Sequence, residues 1–411
     1  MSQSQPNTTL TAPSPLRPEF WAETTPRVLL AEANPSVLHA VHAAIQKYVP
    51  SACQDCVVFS SSGTTGRPKL TLIRKSALLA SAHSVVRWLA IDPRDRLLCA
   101  LPLHHVGGFG MAARAHVSGA ALLHDDARWD ATRVVEKIAD QGITVISLVP
   151  AQVYDLVQNR LKAPECLRLA VVGGGALAAD LESIARDLGW PLACSFGMTE
   201  AASQIATQRR GDSAPAPGFL PVLEGWEIGR AENGCLRLRG PALFSGRMLP
   251  KENRQWIFEP VVVDNGWFTT TDVVDIMEMA GQFWVRPLGR ADDAFKIRGE
   301  LVFLSDLQAL LEALAKESSV DPRQVVLLDE ADARAGIRLL LVTENISDAV
   351  AKRLCTAFNS QAPAFARIAN ICQVVGIPRS PLGKLLKSQL RQHVLESPGY
   401  ARFSDRHDQC G

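Results

Sequence analysis

The segment from residue 57 to residue 69 carries the residue types that bind phosphate. It reads V-V-F-S-S-S-G-T-T-G-R-P-K. A strand that ends in such a loop can surround phosphate oxygens with backbone N–H groups, hydroxyls and one ammonium group. Gly63 and Gly66 allow a close backbone approach, and Lys69 supplies a point charge. A flexible Ser/Gly linker is the alternative, but linkers rarely lie between apolar runs such as Cys56–Phe59 and Leu70–Ile73. The Walker motif does not fit, because Arg-Pro separates the second glycine from the lysine.

Two further clusters follow predicted strands. Leu167–Val172 ends in Gly173, Gly174 and Gly175, where a flat ring or a phosphate can lie against the backbone. A tight turn explains these glycines equally well. The next strand leads into S-F-G-M-T-E, in which an aromatic ring, a hydroxyl and a carboxylate could serve a base, a phosphate and Mg²⁺. A threonine that caps a helix is the alternative there.

Residues 101–108, L-P-L-H-H-V-G-G, place two histidines in a loop between apolar elements. Isolated histidines are more often core or surface groups. The pair beside two glycines makes a substrate pocket an equal alternative.

The last third of the chain holds three more candidates for a nucleotide site. Asp272 in G-W-F-T-T-T-D could hold a ribose diol, and Arg290 could reach the same sugar or a phosphate. Surface turns are the alternative for both. Lys384 follows a glycine in a rigid turn that, taken alone, is an unremarkable basic loop.

Composition narrows the setting. The chain of 411 residues has a net charge of +1 and scattered basic residues, which gives no case for binding nucleic acid or a membrane surface. Its nine cysteines lack framework spacing, and the lone Cys53-x-x-Cys56 pair has no second pair for zinc. We expect no secretory signal, no membrane span and a cytoplasmic location.

The elements that must position these residues change in character along the chain. Apolar runs alternate with helical patterns from residue 57 to about 208, which predicts a mostly parallel sheet with helices on both faces. Residues 28–47 have the spacing of one or two helices. Residues 218–246 are Gly-rich and predict a small antiparallel β region, and an α+β module begins near 289. We expect a disordered segment at 1–18, a large domain at 19–288 and a small domain at 289–411.

Together the clusters resemble the adenylate-forming superfamily of acyl- and aryl-CoA synthetases, adenylation domains and luciferases. Ser61–Lys69 is similar to its phosphate loop, S/T-S-G-T-T-G-x-P-K, and Phe196–Glu200 to its Y/F-G-M-T-E segment. Gly266–Asp272 resembles G-W-F-x-T-G-D, Gly289–Lys296 resembles G-R-x-D-D-x-x-K, and Pro378–Lys384 resembles P-R-T-x-x-G-K. The resemblance implies an α/β fold with a large N-terminal domain and a small, mobile α+β lid. The phosphate loop begins early for this superfamily, so we expect a shortened N-terminal domain.

The resemblance also implies a reaction in two steps. A carboxylate attacks the α-phosphate of ATP, and a thiol, usually that of coenzyme A, then displaces AMP. Such chemistry requires charge neutralisation around an in-line phosphoryl transition state. The residues that the resemblance assigns to ATP in the phosphate loop are Ser61, Ser62, Gly63, Thr64, Thr65, Gly66 and Lys69.

Roles for the remaining motif residues come from the same resemblance. Thr199 would contact the α-phosphate, and Glu200 would bind Mg²⁺. Asp272 and Arg290 would hold the ribose. Lys384 would bridge the carboxylate and the α-phosphate during adenylation. The others are Gly173, Gly174, Gly175 and Phe196 around adenine and substrate, Gly197 in the acid pocket, and Asp292 as the hinge of the lid.

One segment favours a substrate within the superfamily. P-L-H-H-V-G-G-F-G-M followed by Arg114 resembles P-L-F-H-V-S-G-x-G…W-R of 2-succinylbenzoate–CoA ligases of menaquinone biosynthesis. His105 would then line the acid pocket, and Arg114 would face a second substrate carboxylate. The alternatives are another aryl or acyl acid with CoA or a carrier-protein thiol as acceptor, and an inactive nucleotide-binding scaffold. A homodimer is the default expectation for the assembly.

Overall fold

The computed structural model describes residues 15–29, 35–53, 55–61, 69–209, 214–250, 256–291, 294–297, 300–332, 336–363, 366–380 and 383–397. No helix in these ranges combines the length and the apolar character needed to cross a membrane. The α-helices are α1 (Pro18–Ala22), α2 (Pro35–Tyr48), α3 (Lys75–Trp88), α4 (Val106–Ser118), α5 (Ala131–Asp140), α6 (Pro150–Gln158), α7 (Ala179–Asp187), α8 (Leu304–Glu317), α9 (Asp348–Gln361) and α10 (Lys387–Glu396). The strands are β1 (Arg27–Leu29), β2 (Cys56–Ser61), β3 (Lys69–Arg74), β4 (Arg96–Cys99), β5 (Ala121–His124), β6 (Val145–Leu148), β7 (Leu169–Val172), β8 (Leu192–Met198), β9 (Ser203–Thr207), β10 (Leu220–Pro221), β11 (Glu227–Arg230), β12 (Cys235–Arg239), β13 (Gly246–Pro250), β14 (Trp256–Pro260), β15 (Phe268–Met279), β16 (Gln282–Arg290), β17 (Ala294–Ile297), β18 (Glu300–Phe303), β19 (Val325–Asp332), β20 (Gly336–Glu344) and β21 (Ile368–Val374).

A sheet with the strand order β5-β4-β6-β7-β8-β9 positions most of the candidate site. Its pairs from β5 to β8 are parallel, and β9 is antiparallel to β8. Strand β6 is buried along its whole length because helices cover both faces of the sheet. Alternate side chains of β6 divide between two cores. Ile146 packs under α5, α6 and α7, whereas Val145 packs under α3 and α4.

Two other sheets complete the large N-terminal part. Strands β2 and β3 pair antiparallel as far as Ser61 opposite Lys69, and β13 and β14 extend this sheet in the order β1-β2-β3-β13-β14. Strands β10, β16, β15, β12 and β11 form an antiparallel sheet. This second sheet is the β region that the glycine-rich composition predicts, with β15 and β16 as long additions.

The C-terminal elements have a core of their own. The sheet β19-β20-β21 packs against α8 and α9 on one face and against α10 on the other. We refer to residues 300–397 as the lid. The predicted fold class, a large α/β part followed by a small α+β part, is confirmed, while the domain boundary at 288/289 stays a prediction.

Two local expectations are each wrong over a few residues, at 15–18 and at 28–29. The segment expected to be disordered reaches residue 18, but Pro15 is buried, and its carbonyl oxygen accepts a hydrogen bond of 3.2 Å from Trp21 Nε1. The aromatic side chains of α1 cause this order, since Phe20 and Trp21 pack against Phe109. Helix spacing was predicted from residue 28, but residues 27–29 form β1 because they pair with β2.

Candidate active site

The ends of two parallel strands bring the triple glycine and the aromatic residue together. Val172 on β7 lies opposite Cys194 on β8, so Gly173 follows beside Ser195. Ser195 Oγ donates a hydrogen bond of 2.9 Å to the Val172 carbonyl oxygen, and a Cβ atom on Gly173 would lie only 2.8 Å from that hydroxyl. Gly174 and Gly175 are exposed, and Phe196 is half-buried. This arrangement suits a flat ring that lies along the backbone between the strand ends.

Gly197 and its neighbours bend β8 towards the predicted phosphate site. The pairing of β8 with β9 shifts register between Phe196 and Gly197. A Cβ atom at Gly197 would lie 1.7 Å from the Ser203 carbonyl oxygen, so only glycine fits. Thr199 and Glu200 then open a single 3-10 turn and are half-buried.

The base of the predicted phosphate loop adjoins that turn. Strands β2 and β3 place Ser61 opposite Lys69, and β3 contacts the turn that begins at Thr199. The loop residues Ser62, Gly63, Thr64, Thr65 and Gly66 lie outside the described residues, as do the side chains of Ser61 and Lys69. Their roles stay predictions, but both ends of the loop are at the site.

Glu200 has a partner that is not evident from the sequence. Arg247 Nη2 on β13 donates a hydrogen bond of 2.6 Å to Glu200 Oε1. Among the described residues no cluster of three or more His, Cys, Asp or Glu side chains could hold a metal ion. Mg²⁺, however, needs only one or two protein carboxylates when phosphate oxygens and waters complete its shell. Glu200 fits that requirement, because Arg247 takes only Oε1.

The two histidines stand at the start of α4, opposite the lid. Their ring centroids are 4.4 Å apart, and His105 is the N-cap residue of α4. Burial, the neighbouring His104 and the ammonium group of Lys384 lower the pKa of His105 to about 4. The imidazole is therefore neutral at pH 7, and the charge of Lys384 on the lid contributes to that shift. The structure thus brings two predicted site residues together from sequence positions far apart.

Arg114 is buried without an acidic partner. Only 2% of Arg114 is exposed, and no carboxylate in the described part of the chain pairs with its guanidinium. The guanidinium instead donates to Met111 Sδ at 3.3 Å and to the hydroxyls of Ser147 and Ser203 at 3.4 Å each. Burial lowers the pKa of Arg114 to about 10, so it still carries its charge at pH 7. A buried charge with only neutral acceptors is costly, which makes this position suited to an anionic group.

Ser203 connects Arg114 to the rest of the site. It lies opposite Met198 on β8, immediately after the turn that holds Glu200. Its φ of 133° and the φ of 52° at Ala202 are values that L-amino acids rarely adopt. Such strain is concentrated at functional sites. Sequence reasoning missed Ser203, Ser147 and Arg247, because nothing in a serine or an arginine on a strand reveals its partner on another element.

Asp272 and Arg290 are brought together on the antiparallel sheet. They lie directly opposite each other on β15 and β16, and Arg290 Nη2 donates a hydrogen bond of 2.7 Å to Thr271 Oγ1. The two predicted ribose ligands are thus cross-strand neighbours, which the sequence distance alone did not establish. The predicted hinge residue Asp292 lies outside the described residues.

Comparisons with known proteins agree with this geometry. The family described as AMP-binding enzyme matches residues 15–246, more than half of the chain. A 2-succinylbenzoate–CoA ligase of Bacillus velezensis is 28% identical over 346 residues, which make up 81% of this chain and 67% of that relative. The chain therefore spans about two thirds of the length of this relative.

Two solved structures of the o-succinylbenzoate CoA synthetase MenE from Bacillus subtilis have the same fold. The complex with the acyl-adenylate intermediate OSB-AMP has a TM-score of 0.69 at 24% identity and covers 81% of this chain and 68% of that one. The complex with ATP and a magnesium ion has a TM-score of 0.68 at 24% identity, and the match covers 82% of this chain and 69% of the synthetase chain. The resemblance drawn from the five motifs is confirmed, and the chain belongs to the AMP-binding enzyme family.

Proposed function

We propose that the protein is an AMP-forming acid–CoA ligase whose acid carries a second carboxylate, with 2-succinylbenzoate as the substrate that fits best. The buried, unpaired Arg114 is the observation that carries this choice of acid. A monocarboxylic acid leaves the guanidinium with neutral acceptors only. A second carboxylate that reaches Ser203 completes its hydrogen bonds and neutralises its charge.

The first half-reaction joins the acid to AMP. A carboxylate oxygen of the acid forms a bond to the α-phosphorus of ATP, and the bond to the bridging oxygen of pyrophosphate breaks. Lys384 holds the attacking carboxylate and the α-phosphate together, and Thr199 donates to an α-phosphate oxygen. Glu200 would hold Mg²⁺, and the ion would supply charge neutralisation on the phosphates.

The second half-reaction transfers the acyl group to sulfur. The thiolate of CoA attacks the acyl carbon, and AMP leaves with the pair of electrons of the broken C–O bond. Neutral His105 lines the acid site in both half-reactions, and in the first it adds no second positive charge beside Lys384, since its pKa is about 4. Phe196, Gly197 and the glycines after β7 provide the flat surface for adenine and the aromatic acid.

The relatives support the class of substrate. The Bacillus velezensis protein is named for 2-succinylbenzoate and CoA, and the Bacillus subtilis synthetase was solved with the adenylate of that acid. The same synthetase was also solved with ATP and magnesium. The thiol of CoA is accordingly the proposed acceptor, ahead of a carrier-protein thiol.

Substitution of Arg114 tests the proposal against a purely structural role. In Arg114→Met, kcat/KM for 2-succinylbenzoate should fall by about 30-fold or more, because a buried charge pair with the substrate is lost. The kcat/KM for benzoate, a monocarboxylate, should change little. Arg114→Lys retains the charge but not the planar guanidinium, so its kcat/KM for 2-succinylbenzoate should lie between those of the wild type and Arg114→Met.

Thermal unfolding of the same variants separates binding from folding. Removal of an unpaired buried charge should leave the unfolding midpoint of Arg114→Met unchanged or raise it. An equal loss of kcat/KM with both acids, or a lowered midpoint that accounts for the lost activity, would show that Arg114 only supports the fold.

A further inference from the structure

We propose that Arg323, acting through Arg379, is a positioning residue that seats the Lys384 turn against α6 for adenylate formation. We call Arg323, Arg379 and their partners on α6, Ala151, Tyr154 and Asp155, the latch. The inference rests on the proposed function, because it assigns the latch to one of the two half-reactions. None of the family motifs includes Arg323.

Arg323 makes three contacts with one turn of α6. Its Nη2 atom lies 2.9 Å from Asp155 Oδ1 and 3.2 Å from the carbonyl oxygen of Ala151. Its guanidinium carbon lies 4.0 Å from the ring centroid of Tyr154. Ordinary exposed ion pairs contribute little to stability. A guanidinium that pairs, donates to a carbonyl and stacks on a ring is held in one orientation by three groups at once.

The surroundings hold both sides of the latch in place. Trp129 Nε1 donates a hydrogen bond of 3.0 Å to Asp155 Oδ2, which fixes the carboxylate on α6. On the lid, Asp321 Oδ1 accepts from the Arg323 backbone N–H at 2.8 Å and from the Tyr154 hydroxyl at 3.2 Å. Trp129 therefore holds Asp155 independently of the lid, whereas the Tyr154–Asp321 bond is a further contact between α6 and the lid.

Arg379 connects this contact to Lys384. It donates from Nη2 to the Arg323 carbonyl oxygen at 3.2 Å and from Nη1 to the Gly383 carbonyl oxygen at 3.3 Å. Within the turn, the Ser380 N–H bonds to the Lys384 carbonyl oxygen at 2.8 Å. A displacement of Arg323 is thus passed to the backbone that carries Lys384.

Gly383 fixes the distance between the turn and α6. Its φ is 75°, and a Cβ atom there would lie 2.5 Å from Ala151 Cβ. The turn therefore rests directly on the first residues of α6, at the same Ala151 whose carbonyl oxygen Arg323 contacts. In this arrangement the Lys384 charge reaches His105. The docked lid is the arrangement in which Lys384 can serve the first half-reaction.

A second ion pair between the lid and the large domain offers a direct probe of docking. Lys316 Nζ on α8 lies 2.5 Å from Asp180 Oδ2 on α7, and both side chains are accessible, with exposed fractions of 39% and 54%. A carbodiimide joins such a pair as an amide with no added spacer. The yield of the peptide that links Lys316 to Asp180 therefore reports the docked lid without any turnover.

The experiment compares Arg323→Ala with Arg391→Ala. Arg391 is a matched control, because it is similarly exposed and its ion pair with Asp329, at 2.6 Å, lies within the lid. Three quantities are measured for each protein: the cross-link yield, ATP–pyrophosphate exchange with 2-succinylbenzoate, and thioester formation from supplied acyl-adenylate and CoA. Arg323→Lys tests how far the charge alone restores them.

The latch predicts a selective loss. In Arg323→Ala, the cross-link yield should fall and pyrophosphate exchange should drop by about tenfold, while thioester formation stays within about twofold of wild type. Arg391→Ala should match wild type in the cross-link yield and should not separate the two half-reactions. An unchanged cross-link yield in Arg323→Ala, or an equal drop in both half-reactions, would overturn the latch.

Failure of the proposed function would look different. Wild-type protein without pyrophosphate exchange on 2-succinylbenzoate would contradict the proposed substrate. The cross-link yield would still decide whether Arg323 docks the lid.

Discussion

At the scale of single residues, burial sets the charge of the groups that would meet the acid. Arg114 keeps a positive charge with neutral neighbours, whereas His105 loses its charge because it is partly buried beside His104 and Lys384. Arg114 lies on α4 and His105 caps its start, yet burial leaves them with different charges. Arg114 is a cation that suits an anionic group, whereas His105 is a neutral ring beside the cation Lys384. Such pairs of shifted groups are characteristic of active sites.

The lowered pKa of His105 gives a prediction for stability against pH. In the unfolded chain the imidazole has an ordinary pKa of about 6.5, but in the folded protein the pKa is about 4. Between these values the unfolded state binds a proton that the folded state does not, so this residue makes stability fall as pH falls from 6.5 to 4. In His105→Asn that contribution is absent.

The measurement is the thermal unfolding midpoint at pH 7.5 and pH 5. From pH 7.5 to pH 5, the unfolding midpoint of the wild type should fall further than that of His105→Asn. The exposed His39 on α2 provides the control, since His39→Asn should follow wild type. If the unfolding midpoint of His105→Asn fell as far as that of the wild type, the fold would not be holding the imidazole neutral.

At the scale of elements, a buried lysine helps to hold the short helix α1, which begins at the last residue of the segment predicted to be disordered. Lys75 begins α3 and is 3% exposed. Its Nζ atom donates to the carbonyl oxygen of Phe20 at 2.6 Å and to that of Glu23 at 2.7 Å. It also lies 4.1 Å from the ring centroid of Phe20. Lys75 therefore satisfies carbonyl groups at the C-terminal end of α1 that the helix itself leaves unpaired.

Replacement of Lys75 by methionine should destabilise the protein by about 1–3 kcal/mol, because two carbonyl groups lose their donor. The free energy of unfolding in urea measures the loss, and limited proteolysis around residues 23–27 should become faster. Lys47→Met, on the exposed face of α2, should change neither. If Lys75→Met had wild-type stability and proteolysis, α1 would be held by its aromatic contacts alone.

The same elements show what the sequence could predict. Strands β4 to β8 of the six-stranded sheet were predictable because continuous apolar runs such as V-I-S-L lie between helices with a clear apolar face, whereas β9 was not predicted. Strands β13 and β14 were not, since G-R-M-L-P has no alternation and becomes a strand by pairing with β3. The motif residues proposed for the site could also be selected from the sequence, and their roles stay predictions. Ser203, Arg247 and Arg323 could not be selected, because their partners lie 47 to 168 positions away in the sequence.

At the scale of the whole molecule, the lid contacts the large N-terminal part at α6, beside the motif residues. The Lys384 turn rests on the start of α6, and α6 directly follows β6 of the central sheet. The parallel strands β7 and β8 end beside it with the glycines and Phe196. The contact that places the lid on α6 therefore also places Lys384 beside the site. In the proposed reaction, movement of the lid would remove Lys384 after the first half-reaction.

The central claim is that the protein activates a dicarboxylic aromatic acid with ATP and transfers it to CoA. The most direct test is release of AMP by the wild-type protein with ATP, Mg²⁺, CoA and a panel of 2-succinylbenzoate, benzoates and short fatty acids. We predict strong, CoA-dependent release with 2-succinylbenzoate and weak release with the monocarboxylates. Preferred turnover of a monocarboxylic acid, or no release of AMP with any acid of the panel, would contradict the claim.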